Sequence, residues 1–192
     1  DTPRMSKWLD ERELKLAFAT IFTLPGVPFL YYGDEIGMPF MEGVTSKEGG
    51  FSRTGTRTPM QWNTDKNCGF STSDMPYLKT GKPGETVCVE NEEKRQDSLY
   101  NMVKAIIACR HQYEDLQADG SFTVLYVEKD KYPLIYQRGK LVVMVNPSSV
   151  SVEAKITVKL VPGECIFTLG EVSVSDQMVK MEPQSFAIYR ME

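Results

Sequence analysis

The residues with the clearest chemical purpose in this chain are Arg57-Thr58-Pro59-Met60-Gln61-Trp62. They stand in a polar, glycine-rich stretch, where packing alone is a poor reason for six such residues to fall together. A guanidinium donates several hydrogen bonds in a fixed plane. An indole offers a flat apolar face and one donor, and Pro59 stiffens the backbone between the two. A hydroxyl-rich ring such as a sugar presents both kinds of surface. The same run also suits a rigid loop anchor, and taken alone it leaves both readings open.

Upstream stands Leu24-Pro25-Gly26-Val27-Pro28-Phe29-Leu30-Tyr31-Tyr32-Gly33-Asp34-Glu35-Ile36-Gly37-Met38, and downstream Gly69-Phe70-Ser71. In this order and spacing the pieces resemble the α-amylase superfamily of retaining α-glycosidases (glycoside hydrolase family 13). The branch most resembled is that of the α-glucosidases and oligo-1,6-glucosidases, where a stretch like Ser52-Arg53 to Trp62 is usual. Specific motifs carry the resemblance from Asp1 to about Tyr113, and a general pattern carries it to Glu192.

The resemblance implies hydrolysis of α-glucosidic bonds in short oligosaccharides, with no cofactor and no metal. Retaining hydrolysis needs two carboxyl groups about 5–5.5 Å apart, one a nucleophile and one an acid/base. In the resembled family these lie on earlier barrel strands, and no motif resembling either occurs in this chain. A third family carboxylate, the Asp of an Asn-His-Asp motif, hydrogen-bonds the sugar hydroxyls and often opens an Asp-x-Pro-Arg run. The chain begins Asp1-Thr2-Pro3-Arg4, so the resemblance assigns Asp1 to that catalytic position. It assigns Arg57, with Arg53, to substrate binding. Thr54-Gly55 departs from the pattern, because many members have Asp-Asn there.

Other residues are expected to support rather than react. Gly33-Asp34-Glu35 should hold neighbouring loops, Tyr31 and Tyr32 should belong to barrel core and rim, and Gln61 and Trp62 should be loop scaffolding. The partners implied are an α-glucoside oligosaccharide and a missing N-terminal barrel segment of the same protein. The chain alone is expected to be inactive. Relatives with a similar run transfer or isomerise glucosyl groups, in the manner of trehalose synthase or sucrose isomerase. A third reading is a non-catalytic carbohydrate- or protein-binding module, for which the tail offers Tyr126, Tyr132 and Tyr136 but no Trp.

The positioning elements follow from periodicity. Apolar residues at helical spacing predict a helix over 8–24, ended by Pro25-Gly26. The continuous apolar run Val27 to Tyr32 predicts a strand buried on both faces of a parallel sheet. Residues 33–96 show no period, and so long an irregular loop is usually functional. A second helix is predicted from Gln96 to Tyr113. From residue 120 onward short β-rich runs alternate with turn residues. Val152, Ala154, Ile156, Val158 and Leu160 alternate with Glu153, Lys155, Thr157 and Lys159, one face in and one out. The expected architecture is α/β plus all-β. Residues 1–119 form the C-terminal part of a (β/α)8 barrel with a long active-site loop, and residues 120–192 an antiparallel β-sandwich.

Bulk properties narrow the alternatives. The chain has 192 residues, 41% of them hydrophobic, and a net charge of -4. That balance argues against a nucleic-acid partner, which calls for a basic face. No stretch approaches the ~20 apolar residues of a membrane span. Cys68, Cys88, Cys109 and Cys165 lie far apart, with no Cys-x-x-Cys pair, so free thiols and a cytoplasmic setting are expected. His111, the single histidine, reads as a helix-end residue.

Overall fold

The computed structural model describes residues 2–81 and 87–192. Contacts divide the chain into two compact units. One is Asp1–Leu14 with Phe29–Val103, the other Lys15–Pro28 with Lys104–Glu192.

Helix α1 runs over Glu11–Thr23. Its start is a reciprocal cap: the Glu13 amide donates to Asp10 Oδ1 at 2.9 Å, and the Asp10 amide to Glu13 Oε2 at 2.9 Å. Two of the helix's unpaired donors are thus satisfied. Gly26, at φ 89°, turns the chain after it, a conformation that costs glycine least.

The first unit contains little regular structure. Helix α2 spans Val89–Lys94, and helix α3, which starts here, spans Leu99–Gln112. Short 3-10 turns occur at Met5–Lys7, Asp34–Ile36, Phe51–Gly55 and Lys66–Gly69. The acidic stretch that forms α2 gives no apolar period, which is why the sequence reads there as loop. Its last carbonyls are gathered by neighbours: Ser98 Oγ donates to Glu92 O, and Asn101 Nδ2 to the carbonyls of Glu92, Glu93 and Arg95. A small core of Ile36, Met38 and Met60 packs with Val87, Val89 and Tyr100.

The expectation of a buried strand over 27–32 is corrected. These residues pair with no strand among the described residues, and Val27 is 71% and Phe29 92% exposed. Tyr31 and Tyr32 are also exposed rather than core. The physical reason is direct: a strand needs neighbours to bond, and none of the described strands pairs with this run.

The second unit is an antiparallel sandwich. Its strands are β1 Thr123–Glu128, β2 Lys131–Arg138, β3 Leu141–Asn146, β4 Val152–Lys155, β5 Leu160–Leu169, β6 Val172–Ser175, β7 Met178–Met181 and β8 Ser185–Met191. One sheet has the order β1-β2-β3-β8-β5 and the other β4-β7-β6. Ile135, Val142 and Met144 of the first meet Ala154, Val179 and Met181 of the second in one core. The alternation over 152–160 is as expected in its faces, with Ala154, Ile156 and Leu160 buried and the charged residues exposed. The run is not one strand, however. It leaves the small sheet after Lys155 and enters the large one at Leu160.

Two buried arginines fasten the same unit. Arg110 donates to the carbonyls of Phe22, Leu24 and Gly26, satisfying acceptors at the end of α1. Arg138, fully buried, donates to the carbonyls of Thr23, Gln117 and Ser121. The hydroxyls of Thr23 and Tyr136 share a bond of 2.6 Å.

Candidate functional site

The first unit places Arg57 on the wall of a cleft of about 500 Å³, together with Tyr32, Glu35, Met60, Trp62 and Tyr77. The loop bearing Arg57 is fixed on both sides of it. Thr56 Oγ1 donates to the carbonyl of Thr2 at 3.2 Å. Tyr32 Oη donates to the carbonyl of Thr58 at 2.9 Å. The head of the chain, the Tyr31-Tyr32 segment and the Arg57 loop therefore meet at one place.

Arg4 anchors that meeting point from below. Its side chain is fully buried, with Nη1 2.6 Å from Asp34 Oδ1 and 2.8 Å from the Tyr32 carbonyl. Its Nε and Nη2 have no hydrogen-bond partner. Instead the guanidinium carbon lies 5.3 Å from the ring centres of both Tyr31 and Tyr32, a distance at which ring faces attract a cation. Gly33, at φ 84°, leaves room for this packing. A Cβ there would come within 2.6 Å of Met38 Sδ and 3.3 Å of Arg4 Nη1.

Burial sets the electrostatics. It pushes the Tyr32 phenol up to about 12, against the pull of Arg4 and Arg57. Burial raises the Asp34 carboxyl more than Arg4 lowers it. Burial likewise raises Glu35, partly offset by the backbone amides of Glu35 and Gly33. Glu35 Oε2 is buried without a hydrogen-bond partner.

The sequence candidates separate as follows. Asp1 lies outside the described residues. Arg57 lines the cleft. Arg53 does not line it: its Nε and Nη2 donate to the carbonyls of Gly50 and Gly49 at 3.2 and 2.9 Å, within its own turn. Asp34 holds a neighbouring segment through Arg4, in line with the supporting role expected of Gly33-Asp34-Glu35. Gln61 is buried and donates to Val87 O at 2.6 Å, as scaffolding would. Trp62 behaves differently. Its backbone is scaffold, but its side chain is half exposed in the cleft. Arg4 was not singled out from the sequence, although the Asp-x-Pro-Arg run contains it. Among the described residues no group of His, Cys, Asp or Glu is arranged to hold a metal ion. No helix there is long and apolar enough to cross a membrane.

The chain is 34% identical over 176 residues to the probable oligo-1,6-glucosidase 2 of Bacillus subtilis, covering 72% of this chain and 30% of that protein. It is 35% identical over 128 residues to the trehalose synthase of Thermus thermophilus, covering 62% of this chain and 12% of that one. It thus spans less than a third of either relative. The crystal structure of isomaltulose synthase from Erwinia rhapontici NX5 shares the fold, with a TM-score of 0.80 at 22% identity over 100% of this chain and 41% of that one. Residues 1–119 match the alpha-amylase catalytic domain, and the chain therefore belongs to the alpha-amylase family.

Proposed function

We propose that the chain is the C-terminal part of a retaining enzyme that hydrolyses α-glucosidic bonds in short oligosaccharides. In this reading residues 1–119 supply the last helix-strand-helix units of a (β/α)8 barrel, and residues 120–192 a β-sandwich that follows it. Asp1 and Arg57 face the glucose at the reaction centre, and Arg53 shapes the turn that precedes Arg57. The nucleophile and the acid/base come from outside these 192 residues, so the chain alone is inactive. The observation that carries the reading is the bond from Thr56 to Thr2. It ties Thr2 to the residue before Arg57, which supports a shared place for the head of the chain and the Arg57 loop.

A second reading keeps the fold and changes the acceptor. The trehalose synthase relative and the isomaltulose synthase likeness favour a glucosyl-transferring or isomerising enzyme. Whether water reaches the covalent intermediate separates the two outcomes. A product assay of the intact protein on maltose, isomaltose and sucrose is the test. Free glucose as the main product supports hydrolysis, a rearranged disaccharide supports isomerisation, and no turnover of any of the three overturns both.

A further inference from the structure

We propose that Gly55 is a positioning residue for Arg57. Its missing side chain lets the Phe40-Met41 segment lie directly on the turn that presents the arginine, and this close approach sets where the guanidinium stands. The inference rests on the α-glucoside reading above and deepens it.

Gly55 ends the 3-10 turn Phe51–Gly55, is buried, and stands two residues before Arg57. Its backbone does not call for glycine, because it is not among the residues at positive φ. What it calls for is room. A Cβ there would overlap the Met41 carbonyl oxygen and lie 3.0 Å from the edge of the Phe40 ring. The Met41 amide donates to the Gly55 carbonyl at 3.1 Å, so the two backbones touch with no side chain between them. Gly50, at the head of the same turn, is crowded in the same way. A Cβ on it would meet Thr54 Oγ1 at 2.6 Å and the Lys47 carbonyl at 2.9 Å, and the Lys47 amide donates to Thr54 Oγ1 at 3.4 Å. Residues 41–47 thus clasp both ends of the turn.

The clasp is itself held from the head of the chain. Ser6 Oγ donates to the Met38 carbonyl at 2.6 Å. Lys7 Nζ lies 2.9 Å from Glu42 Oε1 and 4.6 Å from the centre of the Phe40 ring. On the other side, the Thr56 amide donates to the Arg53 carbonyl at 2.9 Å, and the Arg57 amide to the Thr54 carbonyl at 3.2 Å. Close-packed interiors transmit strain rather than absorb it. A side chain that pushes Met41 off Gly55 therefore moves the turn, and the turn carries Arg57 with it. An asparagine at this position, the residue many members of the family have, would bring its Cβ to where the Met41 carbonyl lies.

The test is a double-mutant cycle in the intact protein, with kcat/KM on maltose, isomaltose and sucrose measured well below the Tm of every variant. Gly55→Ala should lower kcat/KM on the substrate turned over best by roughly ten- to a hundred-fold, the scale of a misplaced substrate-gripping group. In an Arg57→Ala background the same change should cost less than about two-fold, because a residue that acts through Arg57 has nothing left to place. Phe40→Ala loosens the clasp without adding an atom to the turn. It should show the same dependence on Arg57, and it carries the test if Gly55→Ala does not fold. Full activity in Gly55→Ala, or in Phe40→Ala where Gly55→Ala does not fold, overturns the inference. So does an equal loss in both backgrounds, which marks the contact as general packing. A parent protein inert on all three sugars overturns the α-glucoside reading itself, and this inference with it.

Discussion

The hydroxyl of Thr56 donates to the carbonyl of Thr2 across 3.2 Å, so the head of the chain and the loop presenting Arg57 are one bonded structure. The bond is exposed and neutral, so its worth to folding is about 1 kcal/mol or less. In the proposed α-glucosidase its value would be positional, because small displacements of reacting groups are costly. Thr56→Val should therefore shift the Tm little and lower kcat/KM on short α-glucosides clearly more. Thermal denaturation and steady-state kinetics on the same preparation check this. A Tm loss without a kinetic loss would show the bond to be structural alone.

Arg57→Ala follows the same logic more sharply. The side chain is exposed in the cleft rather than packed in the core. Loss of a charged donor to a bound hydroxyl typically costs about 1.5–3 kcal/mol, which is roughly ten- to a hundred-fold in kcat/KM. Calorimetry should find the variant nearly as stable as the parent. Reversed sensitivities would demote Arg57 to a scaffold residue.

Arg4 and Asp34 form the opposite case, a pair whose side chains are only 0% and 19% exposed. Removing one partner leaves the other charge without compensation, at a cost of about 3–5 kcal/mol. Arg4→Met should therefore be strongly destabilising. The double variant Arg4→Met/Asp34→Asn should recover a large share, because no charge is then stranded. A double-mutant cycle by chemical denaturation gives the coupling. Additive losses would mean that the tyrosine rings, not Asp34, hold the guanidinium.

How much of this was legible beforehand depends on what each residue's neighbours in sequence reveal. The inward and outward faces over 152–160 could be read because alternation is a local property. So could α1 and its end at Pro25-Gly26. The break after Lys155 could not, since the same alternation continues while the chain changes sheets. Arg138 and Arg110 carry no local mark of burial in the sequence. Their burial follows only from the carbonyls of residues 22–26 and 117–121 that the fold brings to them. The run at 27–32 has the composition of a covered strand but pairs with none of the described strands, and composition does not disclose whether a covering neighbour is present. In the site, Arg57 was legible from its residue type and motif. Arg4 and the outward turn of Trp62 required the Tyr31-Tyr32 segment and the turn at 67–69, whose Cys68 carbonyl accepts from the Trp62 amide, to be placed first.

The raised carboxyl of Glu35 has a definite consequence for pH. Burial makes the folded protein hold this proton more tightly than the unfolded chain does. Its favourable contribution is therefore complete below the usual carboxylate range and is lost as pH rises through the folded value. Glu35→Gln removes that titration. Its stability relative to the parent should thus improve as pH climbs from just below the ordinary glutamate value to above it. Urea denaturation at a series of pH values reads the difference. A relative stability that falls over this window would mean that the ionised carboxylate is the favoured form.

The exposed run at 27–32 governs how the 192-residue chain behaves in solution. Phe29 is 92% exposed, and covering a phenylalanine is worth about 1.5–3 kcal/mol. Backbone donors and acceptors there also lack strand partners, and unpaired extended chain recruits its like. The chain should therefore associate as its concentration rises, as seen by sedimentation velocity or light scattering. Phe29→Asp should shift the distribution toward monomer, since a carboxylate resists the burial that association requires. An unmodified chain that stays monomeric throughout would mean that exposure alone does not drive this contact. A Phe29→Asp variant that associates as before would place the sticky surface elsewhere, and Val27, 71% exposed, would be the next residue to change.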